Sequence, residues 1–255
     1  STVDATTVTT GFDVATSIAS IVTVSNAAAA VAAQTITLTT GADTLTGGAG
    51  NDTFTASEIA TVQTFTAGDT LTGGAGTDTL NYTSSSALAV PVGFSASGIE
   101  TVNATSAVDA NVFSTATKFG GHVTTLNVVG IENQTVTAGA GTAVTVTETK
   151  GATGDTVTID GGSSITLTSV GAGAIGDGAT GHSITVGATT AAVGAVNITA
   201  SETSALVANA DIANVGAIAV TGGSTITIAS TIASTAAANT TVLTGSVDVG
   251  HTQGA

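Results

Sequence analysis

Gly41-Ala42-Asp43-Thr44-Leu45-Thr46-Gly47-Gly48-Ala49-Gly50-Asn51-Asp52-Thr53-Phe54 returns 26 residues later as Ala67-Gly68-Asp69-Thr70-Leu71-Thr72-Gly73-Gly74-Ala75-Gly76-Thr77-Asp78-Thr79-Leu80. Asp43 and Asp69 keep this register, and so do Asp52 and Asp78. Self-similarity at a fixed spacing is the mark of a unit that buries its apolar face by stacking on its neighbours. In both copies the run from Gly47 to Thr55, and from Gly73 to Asn81, fits Gly-Gly-x-Gly-x-Asp-x-apolar-x at every specified position. The glycines admit a backbone turn that other residues avoid, and such a turn presents carbonyl oxygens. The apolar eighth residue, Phe54 or Leu80, points inward on a short strand. Between the copies, Ala56 to Gln63 reads as a short helix or loop inserted between two stackable turn pairs.

Beyond residue 100 the chain becomes short Thr/Val/Ile alternations punctuated by glycine: Thr135-Val136-Thr137, Thr145-Val146-Thr147, Thr156-Val157-Thr158-Ile159 and Ser164-Ile165-Thr166-Leu167. Their centres recur at about ten residues, as strands joined by turns do. Ser183-Ile184-Thr185-Val186, Val196-Asn197-Ile198, Ile218-Ala219-Val220 and Thr225-Ile226-Thr227-Ile228 continue the series at wider spacing. Period-two alternation sends Val and Ile to one face and Thr to the other, so a core-filled coil with a hydroxyl-rich exterior is expected. One proline, Pro91, leaves the backbone ladder almost uninterrupted. The Ala-rich stretch from Gly11 to Gln34 is open to a short helix as well as to strands. Three segments follow: residues 1–37, Ala/Thr-rich, as the end of an upstream domain; 38–97, with the glycine-aspartate turns; and 98–255, the Thr/Val/Gly-rich repeats.

Composition bounds the function. Seventeen acidic residues against two basic ones give a net charge of −15, yet only 7 % of the chain is charged and 42 % is hydrophobic. Such a chain has enough to bury and is not a disordered polyanion. Lys118 and Lys150 are its whole cationic inventory, too little for nucleic-acid phosphates or anionic lipid. The absence of cysteine removes disulfides and thiolate chemistry. Ala27 to Ala33 is too short to span a bilayer, and no basic region leads a cleavable signal. Lack of an initiator Met agrees with a piece of a larger parent chain.

An acidic chain with two Gly-Asp turns points to a hard cation. Calcium accepts six to eight oxygen ligands in flexible geometry, so two stacked turns can cage it without His or Cys. The blocks Gly47-Gly48-Ala49-Gly50-Asn51-Asp52 and Gly73-Gly74-Ala75-Gly76-Thr77-Asp78 resemble those of the repeats-in-toxin family. The resemblance covers about 40 residues closely. It implies a parallel β-roll, an all-β solenoid with Ca2+ between stacked turns, and it makes the turn aspartates Asp52 and Asp78 and nearby backbone carbonyls the ligands. Asp43 sits in a partial turn, and Asp69 follows its glycine directly, so these two are weaker candidates. By the logic of a β-roll, Asp43 stacks over Asp69 and Asp52 over Asp78, with the four aspartates forming one cluster that almost no Lys or Arg neutralises.

A second resemblance is to bacterial surface-layer and β-strand-repeat proteins exported in one step (type I secretion). It rests on the order of calcium turns, the phrase Gly98-Ile99-Glu100-Thr101-Val102-Asn103, and then long Thr/Ala/Val/Gly repeats. It implies a non-enzymatic, extracellular protein of the bacterial cell surface that associates with itself in an array and with neighbouring domains of its parent, without membrane insertion. The alternatives are an adhesin stalk, an ice- or surface-binding solenoid with Thr-x-Thr rows, and the non-catalytic tail of a secreted hydrolase. Other chemistry is thin. His122, His182 and His251 lack zinc-ligand spacing. Asp155, Asp160 and Asp177 read as turn aspartates before further calcium ligands. No serine lies in a Gly-x-Ser-x-Gly elbow. The Asn-x-Thr matches at Asn51, Asn81, Asn103, Asn133, Asn197 and Asn239 are no more than a Thr-rich chain produces by chance.

Overall fold

The computed structural model describes residues 32–60, 62–109, 111–150, 155–172, 183–204, 212–214, 216–234, 241–243 and 246–250, and every regular element among them is a β-strand. The helix considered within Gly11 to Gln34 lies almost wholly outside the described residues.

One long sheet runs through the molecule. Its path joins β1 (Thr35–Thr37), β3 (Thr53–Ile59), β6 (Thr79–Ser84), β8 (Thr101–Ser106), β10 (Thr125–Ile131), β12 (Ala143–Lys150), β14 (Ser164–Ala172), β16 (Val196–Ser204) and β19 (Ile226–Ser234), all parallel. Between consecutive members the chain lays its other strands in shorter parallel sheets. The first holds β2 (Thr44–Gly48), β5 (Thr70–Gly74) and β7 (Ser95–Ser97). The second holds β9 (Asn111–Ser114), β11 (Gln134–Thr137), β13 (Thr156–Asp160), β15 (Ser183–Val186), β18 (Ala217–Thr221) and β21 (Val247–Gly250). A third pairs β17 (Ile212–Asn214) with β20 (Thr241–Leu243). Parallel strands need a crossover between them, usually a helix. Here the crossover is itself a strand, and the result is a β-solenoid.

The ten-residue recurrence therefore alternates between sheets: Thr135–Thr137 falls in β11, Thr145–Thr147 in β12, Thr156–Ile159 in β13 and Ser164–Leu167 in β14. Alternation within each strand does the rest. Phe54, Leu80, Val102, Leu126, Val144, Ile165 and Val196 stand in register as one buried column, and Tyr82, Ala104, Val128, Val146, Leu167 and Ile198 form the next. Phe113, Val136, Ile159, Val186 and Val220 face them from the opposite sheet. The wide early coils are filled by aromatic rings, with Phe65 4.7 Å from both Tyr82 and Phe94, and Phe94 5.2 Å from Phe119.

The stretch Ala56 to Gln63 is neither helix nor looped-out insert. Ala56, Ser57 and Glu58 continue β3, paired with Tyr82, Thr83 and Ser84. The chain then reverses at Ala60, whose φ is 58°, into β4 (Val62–Gln63), which runs antiparallel to β3. The inward position at Ala56 is 1 % exposed and faces the same core as its partner Tyr82, so the first half packs as strand, while Ile59 and Val62 at the reversal are exposed. The 26-residue repeat is thus one full coil of the solenoid.

Candidate metal centre

The glycine-aspartate turns connect the first short sheet to the long one. Strand β2 ends in Gly47-Gly48, the chain turns through Ala49-Gly50-Asn51, and Asp52 leads β3; Gly73 to Asp78 repeats this from β5 to β6. The two turns lie directly on one another. Ala75 N–H donates to the Gly48 carbonyl (2.8 Å), Thr77 N–H to Asn51 Oδ1 (2.9 Å) and Thr79 N–H to the Asp52 carbonyl (2.8 Å). Gly74 and Gly76 have φ of 111° and 123°, and a Cβ on either would strike the backbone carbonyl of Gly48 or Gly50. Both the dihedral and the approach demand glycine.

Asp52 and Asp78 are the residues this stacking draws inward, at 1 % and 0 % exposure. One oxygen of each ties coil to coil. Gln34 N–H donates to Asp52 Oδ1 (2.7 Å), and Asp52 N–H donates to Asp78 Oδ1 (2.7 Å). The other oxygen, Oδ2 in both, is buried and accepts no hydrogen bond. Its surroundings are backbone oxygens. A Cβ built on Gly47 would meet Asp52 Oδ2 and the Gly73 carbonyl oxygen, the latter at 2.5 Å; one built on Gly73 would meet Asp78 Oδ2 and the Gly98 carbonyl oxygen. In each pocket a carboxylate oxygen without a donor lies beside a backbone carbonyl oxygen of the next coil, the kind of hard oxygen donors that calcium takes. A buried anionic oxygen without a donor is costly unless a cation meets it. Burial raises the Asp78 carboxyl above its ordinary value; the charges of Asp52 and Glu100 push the same way, against the Asp52 N–H.

Asp43 and Asp69 lie elsewhere. They precede β2 and β5, at the opposite edge of the coil, so the turn aspartates form two columns and not one cluster of four. Both carboxylates are spent on their own turns. Thr39 donates to Asp43 through N–H (2.7 Å) and Oγ1 (2.8 Å). Thr66 does the same for Asp69, at 2.6 and 2.9 Å, and Asp43 N–H adds a bond to Asp69 Oδ1 (2.9 Å). The stacking of Asp43 over Asp69 and Asp52 over Asp78 is as the register demands. The division of labour between the columns comes from the turns: Thr39 and Thr66 supply hydroxyls that the Gly-Gly-Ala-Gly turns lack.

Among the described residues no group of three or more His, Cys, Asp and Glu side chains gathers to hold a metal. The donor set is carboxylates and backbone carbonyls, which suits a hard cation and no soft one. Ala49, Gly50, Asn51, Ala75, Gly76 and Thr77 build the turns themselves, and Asn51 Oδ1 is engaged by Thr77. His122 is exposed after Gly120-Gly121, and Asp160 Oδ1 accepts from Thr189 N–H (2.8 Å) and Thr190 N–H (3.3 Å), so this carboxylate ties distant segments together and does not close a local aspartate turn. Asp155 is buried beside β13. Asp177, His182 and His251 lie outside the described residues. Two members of the column escaped the motif: Gln34, whose amide Nε2 also donates to the Gly47 carbonyl, and Glu100, whose Oε2 accepts from Asp78 N–H (2.8 Å). The signal was present, since Gln34-Thr35-Ile36-Thr37 and Glu100-Thr101-Val102-Asn103 align with Asp78-Thr79-Leu80-Asn81 once strands are matched.

A family model of the RTX calcium-binding nonapeptide repeat matches this chain in four copies, over residues 33–58 and 66–84. The stacked turns are RTX calcium-binding repeats. They bind Ca2+, and the parallel solenoid is the fold such repeats make. No curated protein matches the chain. The buried oxygens described above fit the ion: Asp52 and Asp78 would hold it together with carbonyls such as that of Gly73, and calcium would supply the positive charge that this edge of the RTX coil lacks.

Proposed function

We propose that this chain is a calcium-dependent structural module of a bacterial cell surface, exported in one step as part of a larger protein and assembled with further copies into a surface array. The observation that carries the reading is the continuity of the long parallel sheet with the calcium column. Its outer face is paved by registered rows such as Thr37, Thr55, Asn81, Asn103, Asn127, Thr145, Thr166, Asn197 and Thr227, while one edge of its first coils depends on an ion for charge balance. A stiff, uncharged polar plank whose strength follows external calcium suits a load-bearing or lattice role. RTX-repeat proteins are typically secreted. No helix among the described residues is long and apolar enough to cross a membrane.

The test is negative-stain imaging and sedimentation with calcium, with chelator and with magnesium. Ordered sheets or arrays with calcium alone support the array. A second reading, an adhesin stalk, draws on the same uninterrupted sheet, which lengthens by adding coils; an extended monomer in calcium would favour it. Identical behaviour in all three solutions would sink both.

A further inference from the structure

We propose that the calcium column extends past the matched repeats to a second ion site, closed by the Gly98 carbonyl and the Glu100 carboxylate. The inference rests on the calcium binding of the repeats and assigns to it residues that lie beyond 66–84. Asp52 Oδ2 has the Gly73 carbonyl of the next coil beside it, and Asp78 Oδ2 has the Gly98 carbonyl of the coil after that. Both carboxylate oxygens are buried and accept no hydrogen bond.

Glu100 stands to Asp78 as Asp78 stands to Asp52. Asp52 N–H donates to Asp78 Oδ1, and Asp78 N–H donates to Glu100 Oε2. Thr79 N–H reaches the Asp52 carbonyl at 2.8 Å, and Thr101 N–H the Asp78 carbonyl at 3.0 Å. The turn leading to Glu100 is shorter. Gly73 lies six residues before Thr79, and Gly98 only three before its partner Thr101, so no Gly-Gly-x-Gly-x-Asp motif can be read there. Gly98, with φ of 61°, still sets its carbonyl beside the Asp78 oxygen. The column ends at the next coil, where Thr124 occupies the place of Glu100 and contributes a hydroxyl bonded to the Glu100 carbonyl (3.3 Å).

Counting ions by native mass spectrometry, with affinities from isothermal titration, tests this on the full chain. The wild type should take up two calcium ions in this column. E100Q keeps the size and a hydrogen-bond acceptor but removes the charge, so it should lose the second ion or weaken it by about 10- to 100-fold, the range seen when a metal site loses a supporting group. E100D restores the charge on the side chain the coils above use, and should recover the second ion. D52N should lose the first ion and keep the second. Circular dichroism in excess calcium checks that each variant is folded. Equal stoichiometry and affinity in E100Q and the wild type, or equal loss in E100Q and E100D, would overturn the proposal while leaving the first site in place. A wild type that binds no calcium would overturn both.

Discussion

At the scale of single residues, the aspartates of this chain do two different jobs, and substitution should separate them. D52A or D78A removes a buried oxygen facing backbone carbonyls, and calcium affinity should fall by about tenfold or more in titration, against little change for D155A. D43A removes an acceptor that Thr39 already satisfies on the far edge, so it should lower the melting temperature by the cost of a turn, about 1 kcal/mol, and leave calcium binding intact. Comparable calcium losses in D43A and D52A would contradict the division into columns. Gly74→Ala forces a side chain onto a positive φ and into the Gly48 carbonyl, and should cost about 1–3 kcal/mol or more and the calcium site with it. The pH dependence follows from Asp78. Its folded pKa is raised, so in chelator the folded state holds its proton more tightly than the unfolded chain does. The contribution of Asp78 to stability in chelator is then greatest below the ordinary carboxylate range and is lost as pH rises through the raised value. With calcium bound the carboxylate must be ionised, and the sign reverses: acid releases the ion and destabilises. Thermal melts across this range with and without chelator check the crossing, and parallel curves would refute it.

At the scale of elements, strand identity and facing were legible in the sequence, because Thr-Val-Thr alternation has only one way to bury itself. Ser183-Ile184-Thr185-Val186 shows it: Ile184 and Val186 are fully buried while Ser183 and Thr185 are half-exposed. Coil length was not legible. Successive coils take 26 residues from Thr53 to Thr79, 22 from Thr79 to Thr101, 24 from Thr101 to Thr125 and 18 from Thr125 to Ala143. The variation sits in the turns and leaves the sheet in register, so a search for a period sees drift where the strands see none. The same cause hid the role of Ala56 to Gln63, which looks like an insertion only if every coil is assumed to be two nonapeptides. It also hid Gln34, and it left Glu100 open between a plain strand-entry turn and a ligand, since a motif defined by glycines cannot find a column defined by strand register. The registered columns carry a prediction of their own. Leu126 is fully buried between Val102 and Val144, and Leu126→Ala should cost about 2–5 kcal/mol in chemical denaturation. On the outer face, Asn103 donates to Asn81 and accepts from Asn127, both at 2.8 Å, and N103A should cost only about 0.5–1.5 kcal/mol. A loss for N103A equal to that of L126A would mean that the asparagine ladder, and not the core, holds neighbouring coils together.

At the scale of the whole molecule, calcium acts through mass action on the folded state. An ion at about 100 times its dissociation constant stabilises by roughly 2.7 kcal/mol per site. Chelator should lower the melting temperature, and magnesium should restore it poorly, since it demands stricter octahedral geometry and gives up water reluctantly. Differential scanning calorimetry in the three solutions decides it, and a melt indifferent to chelator would remove calcium from the account. The parallel ladder has a further consequence. Each coil touches only the coils before and after it, so the molecule behaves thermodynamically as a one-dimensional chain of coupled units, in which order spreads from neighbour to neighbour. Calcium bound at the repeats clamps the first coils of that chain. Unfolding should then advance as a front from the far end toward the clamp, and refolding should start at the clamp and zip outward. Amide exchange would display this as a gradient of protection along the long sheet, steep in calcium and flattened in chelator, with the metal setting the direction in which the solenoid winds up.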